Sequence, residues 1–143
     1  MNNSIYQRNF NQLIALNVCD NQGNLRPSGK SKSGGYMDLV YERLSMIDGV
    51  NGLPNQAISI AHYFEMNGDL CQDPEMVVLV NASDRTAEAY HFQQAMPPIY
   101  QVVYDDGNRV DPALKQSLNT FLETWLANLV NQAHGVEWED YRE

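Results

Sequence analysis

Side chains that could bind a metal ion or transfer protons crowd the stretch from His62 to Met76, HYFEMNGDLCQDPEM. Carboxylates bind hard cations such as Mg²⁺ and Ca²⁺, and Asp69, Asp73 and Glu75 would share an ion if they converged across a tight loop. With His62 added, these residues form the cluster expected of a metal-dependent hydrolase or nuclease. The first hypothesis is therefore an ion site in this stretch.

The spacing of these residues matches no established ion-binding loop. An EF-hand needs Gly at its sixth position and Glu at its twelfth, while His62 and Cys71 supply only half of a zinc site. The negatively charged neighbours of Cys71 argue against a reactive thiol, and the phosphate-loop, serine-hydrolase and zinc-protease motifs are absent. We therefore predict a non-catalytic protein without a cofactor. The metal-dependent enzyme stays open as the alternative.

Backbone geometry alone also explains this stretch. Asn67 and Gly68 tolerate positive φ and favour a turn, and Pro74 forces Asp73 into an extended conformation. In this interpretation one strand ends near Phe64, a polar connector follows, and the next strand begins near Glu75.

The remaining pattern predicts one α+β domain over residues 1–143. A helix capped by Ser4 or Asn3 is followed by about five antiparallel strands, and a long amphipathic helix runs from its cap at Asp111 to a stop at Gly135. Both helices are expected on one face of the sheet, which leaves the other face for solvent or a partner. Residues 19–35 are predicted to be a flexible loop, and residues 136–143 an acidic tail.

The charge distribution narrows the class of partner. The formal net charge is −9, and Lys and Arg are absent from Leu44 to Asp84. Nucleic-acid binding is disfavoured because it depends on a basic face, so we expect a protein partner, of basic character if charge guides the contact. No apolar run could span a membrane and no secretion signal is visible, which predicts a cytoplasmic protein with two free thiols.

Four segments resemble an uncharacterised bacterial domain family that occurs in plasmid, integrative-element and phage proteins: GYMDLVYERL, ISIAHYFEMNGDLCQDPEM, IYQVVYDD and LNTFLETWLANLVNQ. The family signature falls on residues that also form the predicted interaction site, namely His62, Asn67, Gly68, Asp69, Asp73, Pro74 and Glu75, together with Leu70, Met76, Phe121 and Trp125. The two ends of the chain are also similar to the YqiB-like proteins. Neither resemblance implies an activity or catalytic residues.

These observations favour an accessory protein that binds a protein partner through the free sheet face or the acidic NGDLCQDPEM rim. In the mobile-element setting that the resemblance implies, such a protein could inhibit a nucleic-acid-handling complex, with acidic charge standing in for phosphate. A small-molecule sensor that uses the tyrosines of the sheet face is a further alternative.

Overall fold

Two helices flank a run of six strands in the computed structural model, which describes residues 4–106 and 109–140 without the side chains of Glu65 and Leu70. The element order is α1 (Ile5–Ala15), β1 (Gly29–Ser31), β2 (Leu39–Asp48), β3 (Pro54–Met66), β4 (Asp69–Asn81), β5 (Thr86–Gln94), β6 (Ile99–Val102) and α2 (Pro112–Asn131). Consecutive strands pair antiparallel, so the sheet is a meander in the order β1 to β6. No helix in these described ranges is long and apolar enough to cross a membrane.

The α+β class and the order of helix, antiparallel strands and helix are confirmed, but the sheet has six strands rather than about five. The additional strand is β1, which lies inside the predicted loop at 19–35. Three residues are too few to show a period of two, so β1 carries no strand signal of its own. It pairs with β2 at Gly29↔Tyr41 and Ser31↔Leu39, and the backbone of Lys30 also exchanges hydrogen bonds of 2.9 Å with Glu139 in the acidic tail.

The predicted helix caps are confirmed, whereas the predicted stop is wrong. Ser4 Oγ accepts the Gln7 N–H (3.2 Å), and Asp111 Oδ1 accepts the Leu114 N–H (3.1 Å). Helix α2 ends at Asn131, and Ala133 adopts the left-handed conformation with φ of 67°. Gly135 serves close packing instead, because a Cβ there would lie 2.1 Å from the Leu16 carbonyl oxygen.

The hydrophobic core lies between the helices and one face of the sheet, here called the helix face. Successive strand residues point to opposite faces, so alternate residues enter the core. These are Leu39, Tyr41, Ile58, Ile60, Met76, Val78, Val80, Ala87 and Ala89, which join Phe10, Leu13, Leu118, Leu122, Trp125, Leu126 and Leu129 from the helices.

Two buried asparagines attach the helices to the backbone of β5. Asn119 Oδ1 on α2 accepts the Ala89 N–H at 2.9 Å, and Asn9 Nδ2 on α1 donates to the Ala87 carbonyl at 3.3 Å. Strand β6 pairs only with His91 to Gln94, so these amides contact β5 beyond the end of its partner strand. Backbone polar groups buried without a partner are costly, and the asparagines remove that cost where β5 meets the helices.

Replacement of Asn119 by Ala should therefore lower the free energy of unfolding by about 1–3 kcal/mol, since it leaves the Ala89 N–H buried without an acceptor. Urea denaturation of the purified protein measures this change. Asn128→Ala is the matched control, because Asn128 is an exposed residue of the same helix and gains the same helix propensity. Equal stability of the two variants would contradict the role given to Asn119.

Candidate interaction surface on the open face of the sheet

The stretch predicted as a connector is the middle of one long hairpin. Strand β3 continues to Met66, β4 begins at Asp69, and only Asn67 and Gly68 lie between them, with φ of 54° and 85°. Two successive residues with positive φ form the turn that matches the twist of paired strands. The turn at Asn67 and Gly68 is thus confirmed. The strand boundaries predicted near Phe64 and Glu75 are wrong, because pairing continues through both positions.

The three candidate carboxylates are spread along β4 and do not converge. Asp69 is exposed beside the turn, Asp73 is exposed beside Pro74, and Glu75 is half-buried further along. A strand advances about 3.3 Å per residue, so Asp69 and Glu75 lie roughly 15–20 Å apart. Among the residues whose side chains are described, His, Cys, Asp and Glu form no group of three that could hold a metal ion. The geometry therefore gives no support to the metal-dependent alternative.

His62 lies on the helix face, opposite to Glu75. The neighbouring Ala61 pairs with Glu75, and adjacent strand residues point to opposite sides of the sheet. The His62 ring lies 5.7 Å from Trp125 and 5.8 Å from His134 between ring centroids, and its Nδ1 donates to the Asp38 carbonyl at 2.9 Å. His62 is therefore a packed core residue with a satisfied hydrogen bond.

His134 completes this buried pair. Ser31 Oγ accepts the Gly135 N–H at 2.9 Å and lies 3.1 Å from His134 Nδ1, so its own proton can be donated to that nitrogen. Nε2 of His134 is buried and has no hydrogen-bond partner in the described structure. Burial, and then the proximity of His62, lowers the pKa of His134, which keeps the ring neutral near pH 7.

A different set of residues, most of them polar, meets on the sheet face away from the helices, here called the open face. Its members, which follow from the strand register, are Ser59, Tyr63, Glu75, Val77, His91, Gln93, Tyr100 and Val102. At its centre, Glu75 Oε2 accepts hydrogen bonds from Ser59 Oγ at 2.9 Å and from the Tyr63 hydroxyl at 3.3 Å. Of the predicted site residues, only Glu75 belongs to this group.

His91 and Tyr100 form the second half of the open face. The Tyr100 hydroxyl lies 3.4 Å from His91 Nδ1, and the two rings meet edge to face at 5.7 Å. Burial lowers the pKa of His91, although the Glu75 carboxylate acts in the opposite direction. His91 is accordingly neutral near pH 7 and does not compensate the charge of Glu75.

Part of this surface was visible in the sequence. Alternation along β3 already separates Ser59 and Tyr63 from Ile58, Ile60 and His62. The position of His91 on the open face could not be predicted in this way, because the register of β4 and β5 shifts there. Val78 lies opposite Ala89, but Val77 lies opposite His91. The extra residue, Tyr90, moves His91 to the face opposite that of Ala89.

A second group of ionisable residues attaches α2 to the sheet. The buried Glu88 carboxylate accepts from the Tyr104 hydroxyl at 2.9 Å and lies 3.5 Å from Lys115 Nζ on α2. Burial lowers the pKa of Lys115, but Tyr104 and Glu88 outweigh it and hold that pKa above its usual range. Lys115 therefore stays charged, and the group acts as a structural tie.

The neutral state of His134 gives the stability of the protein a defined dependence on pH. A histidine whose pKa is lowered by folding binds its proton more readily when unfolded, so stability falls as the pH drops below the unfolded value of about 6.5. We expect the free energy of unfolding to decrease between about pH 7 and pH 5. The measurement is urea denaturation across this range.

His134→Asn is the matched variant, because its amide keeps an acceptor close to Ser31 but does not titrate. The variant should be less stable at pH 7 and should lose less stability on acidification. A pH dependence as steep as that of the wild type would show that another group is responsible.

Comparison with known proteins identifies a family. No curated protein and no solved structure matched the chain. A family model described as a domain of unknown function, DUF6908, matches residues 10–135, a span that includes the second half of α1, the whole sheet and α2. The resemblance to a domain family without an assigned function is thereby confirmed, and the chain belongs to the DUF6908 family.

Proposed function

We propose that this chain is a non-catalytic interaction module that binds a protein partner through the open face. The observation that carries the proposal is the set of side chains at the β5–β6 end of this face. Tyr100 is 62% exposed beside the half-buried His91, and Met96 in the β5–β6 turn is 61% exposed. Aromatic residues and methionine are enriched in protein interfaces relative to the rest of a protein surface.

The charge of the sheet favours a basic partner. Strands β3 to β6 contain five acidic residues (Glu65, Asp69, Asp73, Glu75 and Glu88) and no Lys or Arg. Glu88 is buried and paired with Lys115 of α2, so the other four supply the net charge of these strands. A surface of one sign attracts a partner of the opposite sign and raises the rate of association. We further propose a partner from a nucleic-acid-handling complex in a bacterial mobile element, in which these carboxylates stand in for phosphates. The support for this step is the charge and the resemblance of the NGDLCQDPEM block.

Co-purification from the cells that encode the chain tests this proposal. The tagged wild type should retain a partner at low salt and lose most of it at about 0.5 M salt, where exposed charges are screened. Tyr100→Ala should reduce recovery of the same partner several-fold, because it removes an exposed aromatic contact of the open face.

Tyr36→Ala is the control for this experiment. Tyr36 is 53% exposed like Tyr100, but it lies in the segment before β2 rather than on the sheet. Its replacement should leave recovery unchanged. A partner that is lost equally from both variants, or from neither, would contradict binding through the open face.

A further inference from the structure

The Glu75 carboxylate has one oxygen available to a donor from outside the chain. Both of its hydrogen bonds within the described structure, from Ser59 and Tyr63, end on Oε2. Ala61 lies directly across from Glu75 on β3 and is too small to cover it. These two donors hold the carboxylate in place while Oε1 remains uncommitted.

No cation of the described sheet is placed to neutralise this carboxylate. The Lys and Arg residues of the strands are confined to β1 and β2. Lys30 is paired with Asp38 at 3.4 Å, and Arg43 lies opposite Ile58, on the helix-face side. A fixed, partly desolvated carboxylate with no counter-ion among the described strands is a site where a cation from another molecule is favoured.

Aromatic rings lie on both sides of Glu75. Tyr63 donates to it from β3, while Tyr100 lies in the same cross-strand row, two strands away at roughly 10 Å, with Gln93 of β5 between them. A carboxylate with one available oxygen and tyrosines on either side suits a planar guanidinium, which can donate to Oε1 and stack on aromatic faces. A lysine ammonium group lacks the planar surface for stacking and would be held mainly by charge attraction.

The cavities of the structure lie away from Glu75, which favours an arginine presented by a protein over a free small molecule. Small-ligand sites are concave, and three cavities of the structure are lined by other residues: one of about 450 Å³ borders Cys19 and Trp138, one of about 470 Å³ borders Tyr6 and Lys115, and one of about 300 Å³ borders Arg43. A side chain from an extended partner segment needs no cavity, because the rest of the partner covers it.

We propose that Glu75, flanked by Tyr63 and Tyr100, is the seat for an arginine side chain of the protein partner. This inference rests on the proposed function and specifies which side chain of the partner the open face recognises. Glu75 forms the charge-assisted hydrogen bonds, and the two tyrosines supply stacking surface.

Binding of defined peptides tests the seat without knowledge of the partner. The probe is a fluorescently labelled short peptide of alternating Arg and Thr, with counterparts that carry Lys or the neutral citrulline in place of Arg. Fluorescence anisotropy at physiological salt gives the dissociation constants. The Arg peptide should bind more tightly than the Lys peptide, and the citrulline peptide should bind at least about tenfold more weakly, because it lacks the charge.

Two glutamate variants carry the comparison. Glu75→Gln keeps an acceptor for Ser59 and Tyr63 but removes the charge, and should weaken binding of the Arg peptide about tenfold. Glu137→Gln removes the same charge from an exposed residue outside the strands and should change binding by less than about twofold. Tyr100→Ala should weaken binding several-fold, and its exposed position spares the core. Equal dissociation constants for the two glutamate variants would overturn the seat.

Two further outcomes separate the seat from the proposed function. Loss of the co-purified partner in Tyr100→Ala, together with peptide binding that ignores Glu75, would overturn the seat and leave the function standing. Peptide binding that depends on Glu75, with no partner recovered from cells, would support the seat against the function. A dimer of this chain in sedimentation that Glu75→Gln dissociates would overturn the choice of a separate partner, because a second copy would then fill the seat.

Discussion

The two-residue turn at Asn67 and Gly68 sets the register on which the rest of the sheet depends. Side chains alternate across a strand, so a slip of one residue in the β3–β4 hairpin would exchange its two faces. In the observed register His62 enters the core and Glu75 faces away from the helices. The irregularity around Asp73 and Pro74 adds one residue to β4 and preserves this assignment along the whole hairpin.

In this register, a continuous row of aromatic and histidine rings lies on the helix face. Phe92 contacts Phe121 at 5.6 Å, Phe121 stacks on Trp125 at 6.0 Å, and Trp125 meets His62, which in turn lies beside His134. The row connects β5, α2, β3 and the segment after α2. The helices pack against this face alone, and the open face combines small and aliphatic residues such as Ala61 and Leu79 with polar and aromatic ones.

Sequence patterns correctly predicted the features that depend only on residues close together in the chain. The caps at Ser4 and Asp111, the stripe of α2 and the turn at Asn67 follow from neighbouring residues, and each is found. Strand β1 was not predicted, because it depends on pairing with β2 and Glu139 rather than on a pattern within its own three residues. The displacement of His91 to the open face depends on a bulge that no periodicity shows. The metal hypothesis relied on sequence proximity, which an extended strand converts into distance.

The asparagine contacts to β5 have a consequence for how the chain is made. Until Pro112–Asn131 has left the ribosome and docked, the Ala89 N–H can bond only to water, and the part of β5 beyond β6 presents unpaired backbone to other strands. All six strands are thus synthesised before the helix that covers the sheet. Docking of α2 is therefore a late step of synthesis, and until it occurs this part of β5 remains open to pairing with another strand.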